Sequence, residues 1–270
     1  MTVLARIIIG LGVTVICFAL AGRRFYWLSR LIRSGQEAPR RWQGLRKLGE
    51  AEVVEVAGQR KILHWTVPGL AHFFTMWGFT VLMTTIIEAY GSLFERSFHI
   101  PWIGQSNWLA FVEDFFATAV LVSLVVFTII RIKNAPSRKD RSSRFYGSHL
   151  GAAWLVLFMI SLVIITLLVY RGAQINTGHF PYMYTPARGP VRLAPVASSW
   201  AFASKIVASW LHPLGVGVNS VLEATFLLAN IAVIAGFLDV YKRQPQRGLD
   251  WSGRRESNPR SQLGKLMFCR

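Results

Sequence analysis

The sequence predicts an all-α fold, a polytopic membrane protein with five transmembrane helices in a bundle. Hydrophobic residues make up 53% of the 270 and aromatic residues 13%, with a positive mean hydropathy. That is more apolar material than the single core of a soluble domain this size takes up. The second observation is where the charge falls. The basic residues behind the formal charge of +17 collect between apolar stretches and not on one soluble face or arm, which is the pattern of membrane topology and not of a nucleic-acid binder. The lipid bilayer is therefore the expected surrounding, and nucleic acid is not an expected partner.

Crossing a hydrocarbon core of about 30 Å takes about 20 helical residues. Five segments are long and apolar enough, at 3–22, 67–91, 108–130, 149–170 and 219–238. The first has features of a signal peptide, with Arg6 before a short apolar stretch and Ala19, Leu20 and Ala21 at a possible cleavage site. The loop after it argues for an uncleaved anchor, because Arg23, Arg24, Arg30, Arg33, Arg40, Arg41, Arg46, Lys47, Arg60 and Lys61 resist export. The second span carries His72 and, at its edge, His64. The loop between the third and fourth spans is again basic, with Arg131, Lys133, Arg138, Lys139, Arg141 and Arg144 against Asp140. Both basic loops are expected in the cytoplasm, with the N-terminus outside.

The loop between the second and third spans, with Glu95 and Arg96, and the long one from Gly172 to Val218 are expected outside. The long loop is apolar and aromatic, and the stretch from Trp200 to Leu211 reads as a short amphipathic helix lying along the outer interface. No internal repeat is evident in the spans, and intramembrane charges are few, which disfavours a transporter built from inverted halves.

Residues 239–270 leave the membrane pattern, being polar and without helical or strand periodicity, and read as a disordered basic tail. The stretch from Val240 to Gln244 resembles translated sequencing adapter, and that from Ser252 to Leu263 resembles translation of a structural RNA gene. On that resemblance the tail is expected to be foreign and the membrane domain to occupy 1–238, truncated at Leu238 or close to it. The alternative is a native cytoplasmic polybasic segment that attracts anionic lipid.

An ionisable side chain inside an apolar span is a functional hypothesis, since hydrocarbon supplies no water to solvate it. His72 is such a group, and neutral imidazole is a common axial ligand of haem iron. A histidine hydrogen-bonded across a helix interface is the competing reading. His64 lies eight residues earlier, about 12 Å along a regular helix, with Pro68 between them as a possible kink. His149 opens the fourth span beside the small residues Gly147, Ser148, Gly151, Ala152 and Ala153, which admit a flat macrocycle or a helix; a headgroup-facing histidine is the alternative.

His99, His179 and His212 fall in outer loops and are expected to be solvated. Glu88, Glu113, Asp114 and Glu223 sit near outer ends of spans, where carboxylates can accept protons from a quinol or can be wet helix-end acids. Glu88 and Asp114 are the quinone-proximal candidates. Phe73, Phe74, Trp77 and Phe79 beside His72 suit a porphyrin face or helix packing. Cys17 and Cys269 lie in unlike surroundings, so this chain alone builds no iron-sulfur cluster or zinc site.

The segment from Gln59 to Phe79 resembles the second span of a family of bacterial iron-sulfur-binding oxidoreductases related to heterodisulfide reductase. Their N-terminal membrane domain is similar to the gamma subunit of respiratory nitrate reductase, a five-helix b-type cytochrome. The stretches from Glu88 to Phe94, Phe98 to Gly104, Glu113 to Ala117, Ser143 to His149, Trp154 to Ile160 and Tyr170 to Gly178 agree with the same family, so the likeness runs over 1–238. It implies electron transfer between membrane quinone and a cytoplasmic iron-sulfur portion through haem b.

In that pattern one haem ligand lies just before a Phe-Phe pair, which His72 matches, and another lies upstream, which His64 meets only approximately. The partner ligands come from the last span and its cytoplasmic end. Here the chain departs, with Asn230 near the place of a histidine and the tail where a histidine-rich stretch would be. The resemblance thus implies a fragment of an oxidoreductase, not competent alone, lacking its iron-sulfur domains. A haem-free membrane anchor for a cytoplasmic redox partner is the alternative.

Overall fold

The computed structural model describes residues 2–34, 49, 52–133, 151–184, 187–188, 191–192 and 196–240. Seven α-helices carry these residues: α1 Val3–Arg33, α2 Arg60–Leu63, α3 Thr66–Gly91, α4 Asn107–Lys133, α5 Ala152–Thr177, α6 Phe202–Leu211 and α7 Gly215–Val240. α1, α3, α4, α5 and α7 are the five expected spans, each long and apolar enough to cross a membrane. A π-helical turn at Glu52–Ala57 precedes α2, and a 3-10 turn at His212–Leu214 joins α6 to α7. Met183–Tyr184 pairs with Val196–Ala197 and Ala187–Arg188 with Val191–Arg192, two minimal antiparallel ladders in an otherwise helical protein.

The helices outrun the apolar segments that announce them. α1 continues through Arg23, Arg24 and Arg30 to Arg33, residues expected in a loop; its 31 residues give about 46 Å, well past the hydrocarbon thickness. α5 runs on to Thr177, so Arg171 and Gln174 belong to a helix and not to the long loop expected from Gly172. α7 begins at Gly215 and ends at Val240. The compact unit accordingly spans Met1–Val240, two residues past the expected domain boundary. The rest of the tail, from 241, lies outside the described residues.

Packing follows small residues. α3 lies against α4 where Gly78 meets Val120, and a Cβ at Gly78 would run into Val120 Cγ2. Leu82, Ala117, Val120, Leu124, Val163, Ile164 and Leu167 form one core between α3, α4 and α5. Ala89, Leu93, Tyr170, Leu227 and Ile231 form another where α3, α5 and α7 meet. Phe74 contacts the rings of Phe115 and Phe116, and Phe79 packs on the first core, so these two stripe aromatics serve helix packing. α1 packs mainly on α7. Its outer face is open, with Leu4, Ile8, Val15, Ile16 and Phe18 exposed, as lipid contact requires.

The turn that ends α5 directs the chain back over the bundle. α5 stops at Gly178, whose φ of +81° is readily adopted only by glycine, and His179 N–H closes the end on Gln174 O at 3.0 Å. The chain then crosses the helix ends. Phe180 and Tyr182 are buried with Leu109, Ala110, Ala197 and Ala201 as a third core.

Candidate functional site

The buried carboxyls of this bundle gather at one end, where α3 and α5 finish and α4, α6 and α7 begin. Glu113 in the second turn of α4 is fully buried and forms an ion pair with Arg171 of α5, Nη1 to Oε2, at 2.7 Å. Its other oxygen lies 2.5 Å from Thr84 Oγ1 on α3. The Tyr182 hydroxyl lies 2.7 Å from Glu113 Oε2 and 3.0 Å from Glu88 Oε1. The Arg171 guanidinium sits over the rings of Phe180 and Tyr182, at 5.2 and 5.3 Å from their centroids. A charge withdrawn from water needs such compensation, and here an ion pair and two aromatic faces supply it. Burial pushes the Tyr182 hydroxyl above the ordinary phenol range against the nearby Arg171 charge, and the carboxyls of Glu113 and Glu88 push it further.

Asp114, next in sequence, turns to α6. Its Oδ2 accepts the Ser204 backbone N–H at 2.8 Å and its Oδ1 accepts the Ser204 hydroxyl at 2.7 Å. Ala201, which precedes α6, offers no capping side chain. Asp114 therefore caps α6 from a different helix and places an anion at its positive end. A third layer joins α5 to α7: Glu223 Oε2 accepts Thr177 Oγ1 at 2.8 Å and lies 3.1 Å from His179 Nδ1, while Asn176 Nδ2 donates to Asn219 Oδ1 at 3.0 Å. On the α1 side, Arg6 Nη1 donates to Ser92 O at 3.3 Å.

The reading of Glu88, Glu113, Asp114 and Glu223 as wet helix-end acids is thus corrected, since all four are buried. The reason is the helical extension of α5 and the turn at Gly178, which lay Arg171 and Tyr182 over them. His179 is half-buried on Glu223 and not simply solvated, whereas His99 and His212 are exposed as expected. Arg171, Tyr182 and Ser204 are site residues that sequence reasoning missed. The signal for Arg171 was its place only one residue past an apolar run, close enough for the helix to carry it inward.

The histidines are arranged differently. α2 ends at Leu63, the chain turns through His64 and Trp65, and α3 starts at Thr66, so His64 and His72 do not share a helix and the regular-helix spacing between them does not apply. Pro68 stands in the first turn of α3, where a missing N–H costs nothing, and not as a kink. His64 is exposed. His72 is exposed too, with Nδ1 3.2 Å from Oε1 of the buried Gln59. Trp77 Nε1 donates to Ala57 O at 3.2 Å.

A hydrogen bond of the Gln59 kind orients a ligating imidazole and leaves Nε2 for a metal. Span five brings no histidine toward such a site. Asn230 is buried and donates to Val163 O and Thr166 Oγ1, both at 2.9 Å, so it ties α7 to α5. Among the described residues no group of three or more His, Cys, Asp or Glu could hold a metal ion. His149 lies outside the described residues. Asn230, engaged with α5, is therefore not free to stand in for the histidine that the resemblance expects there.

No protein-family model, curated protein or solved structure matches this chain.

Proposed function

We propose that the chain is the membrane domain of a quinone-linked oxidoreductase, working with a cytoplasmic iron-sulfur portion, and that the end carrying Glu88, Glu113 and Arg171 faces outward and takes up the protons of quinol oxidation. The observation that carries this reading is the buried set of Glu88, Tyr182, Glu113 and Arg171. Oxidising a quinol releases protons with its electrons, and buried carboxyls linked by a hydroxyl are suited to receive them. Asp114 positions α6 beside that set. The family resemblance between Gln59 and Phe79 supplies the redox class. His72 would be the residue to hold haem b, which would supply a one-electron carrier between quinol and the iron-sulfur portion.

A haem-free anchor is the second reading, favoured by Asn230, which is engaged with α5 where the resemblance expects a histidine. Two measurements on the full chain in lipid nanodiscs test these readings. A short-chain quinone analogue should bind with a saturable isotherm, weakened in Tyr182→Phe; uptake that only follows lipid content would sink the quinone reading. A dithionite-reduced minus oxidised spectrum with b-type bands, lost in His72→Ala, would establish haem on His72. A flat spectrum would leave the anchor.

A further inference from the structure

A phenol has one hydrogen to give. The Tyr182 oxygen lies within hydrogen-bond length of two carboxyl oxygens, Glu88 Oε1 and Glu113 Oε2, and all three side chains are buried. The Tyr182 hydrogen can lie along one of these lines only. For the second contact to be a hydrogen bond, a carboxyl must bring the other hydrogen. Were both carboxyls ionised, two negative oxygens would crowd a single donor away from water, which is the arrangement that drives one of an acid pair to hold a proton.

The surroundings say which acid holds it. Glu113 Oε2 accepts Arg171 Nη1, and Oε1 has the Thr84 hydroxyl beside it. Those partners suit a carboxylate. Tyr182 is the hydrogen-bonding partner of Glu88. We infer that Glu88 carries a proton in the resting protein and that Glu88, Tyr182 and Glu113 form a proton relay. Glu88 O–H donates to the Tyr182 oxygen, and Tyr182 O–H donates to the Glu113 carboxylate.

Transfer through this chain balances without any electron moving. The Glu88 O–H bond breaks as a new O–H forms on Tyr182, and the old Tyr182 O–H breaks as one forms on Glu113. One proton passes from α3 to α4, and the negative charge passes from Glu113 to Glu88. Arg171 is equipped for the exchange: its Nε and Nη2 are buried and unpartnered, so the guanidinium retains donors for a second anionic oxygen. A deprotonated Glu88, or a quinol that has lost one proton, presents such an oxygen. The charged and titratable groups around Glu88 are Glu113 and Asp114 of α4, Arg171 and Tyr170 of α5, Tyr182 and, beyond Tyr170, Glu223 of α7. The proton on Glu88 rests on the geometry; its use in quinol oxidation rests on the proposed redox function.

Infrared spectra of the full chain in nanodiscs, in H2O and in D2O at neutral pH, test it. The protonated-carboxyl C=O band should shift down in D2O and lose a component in Glu88→Gln, whose amide can still donate to Tyr182. In Tyr182→Phe the same component should move to higher frequency, because Glu88 loses its acceptor. A spectrum that is unchanged in Glu88→Gln, or a band that stays in place in Tyr182→Phe, would overturn the relay. Should Glu88→Gln misfold, the Tyr182→Phe shift decides alone. Loss of the band in Glu88→Gln together with non-saturable quinone uptake by the parent chain would uphold the proton site and dismiss quinol as its source.

Discussion

Glu113 and Asp114 are neighbours in sequence and opposites in use. Glu113 is paired with a buried guanidinium, while Asp114 accepts two hydrogen bonds from Ser204 at the start of α6. Removing one member of a buried ion pair strands the other, at a cost of about 3–5 kcal/mol, whereas replacing both with apolar groups of like volume is often close to neutral. Glu113→Leu and Arg171→Met should therefore each destabilise strongly, and the double variant by much less than their sum. Detergent-titrated unfolding of the four proteins checks this, and additive losses would mean the two side chains are not coupled. Neither role could be read from position alone. A carboxylate in the second turn of a span looks the same in sequence whether it meets water or a guanidinium, because its partner lies in a later helix.

At the scale of elements, the five spans were legible because a bilayer demands length and apolar composition together, and the chain satisfies both five times. Their ends were not. Hydropathy falls at the edge of the hydrocarbon, but backbone hydrogen bonding continues until a cap or a turn ends it, which for α5 is Gly178. The short helix between Trp200 and Leu211 was legible from its amphipathic spacing, yet its buried face, Ser204 and Ala208, depends on Asp114. The close contact of α3 with α4 at Gly78 was hidden, since nothing local separates a packing glycine from a tolerated one. Gly78→Val should cost about 1–3 kcal/mol by forcing the helices apart at Val120. A comparison of thermal midpoints with Gly12→Val, where a Cβ meets nothing within 4 Å, checks that the effect is one of packing.

For the whole molecule, charge and burial divide the bundle lengthwise. Arg23, Arg24, Arg30 and Arg33 of α1 and Arg131 and Lys133 of α4 lie toward the ends away from Glu113 and Glu223. An excess of basic residues in short loops favours the cytoplasmic side, so the outward-facing acid cluster of the proposal requires these basic ends to lie in the cytoplasm. In a background with Cys17 and Cys269 replaced by serine, His99→Cys should react with an impermeant maleimide on intact cells and Ser34→Cys only after permeabilisation. The reverse pattern would turn the buried acid cluster to the cytoplasm and remove the outward quinol site from the proposal. The redox class rests on the resemblance between Gln59 and Phe79 and not on the topology. His72 stood out because an imidazole in a greasy span is conspicuous, and the structure pairs it with Gln59.

The ion pair between Glu113 and Arg171 has a consequence for how the protein is made. The two residues are 58 positions apart, so a ribosome delivers α4 to the membrane while Arg171 is still unsynthesised. An ionised Glu113 alone in lipid is costly. The hairpin of α3 and α4 therefore enters the membrane before the partner that compensates Glu113 exists. Arg171 supplies that partner when α5 follows, before α7 is made, so the order of chain synthesis is part of how this site is assembled.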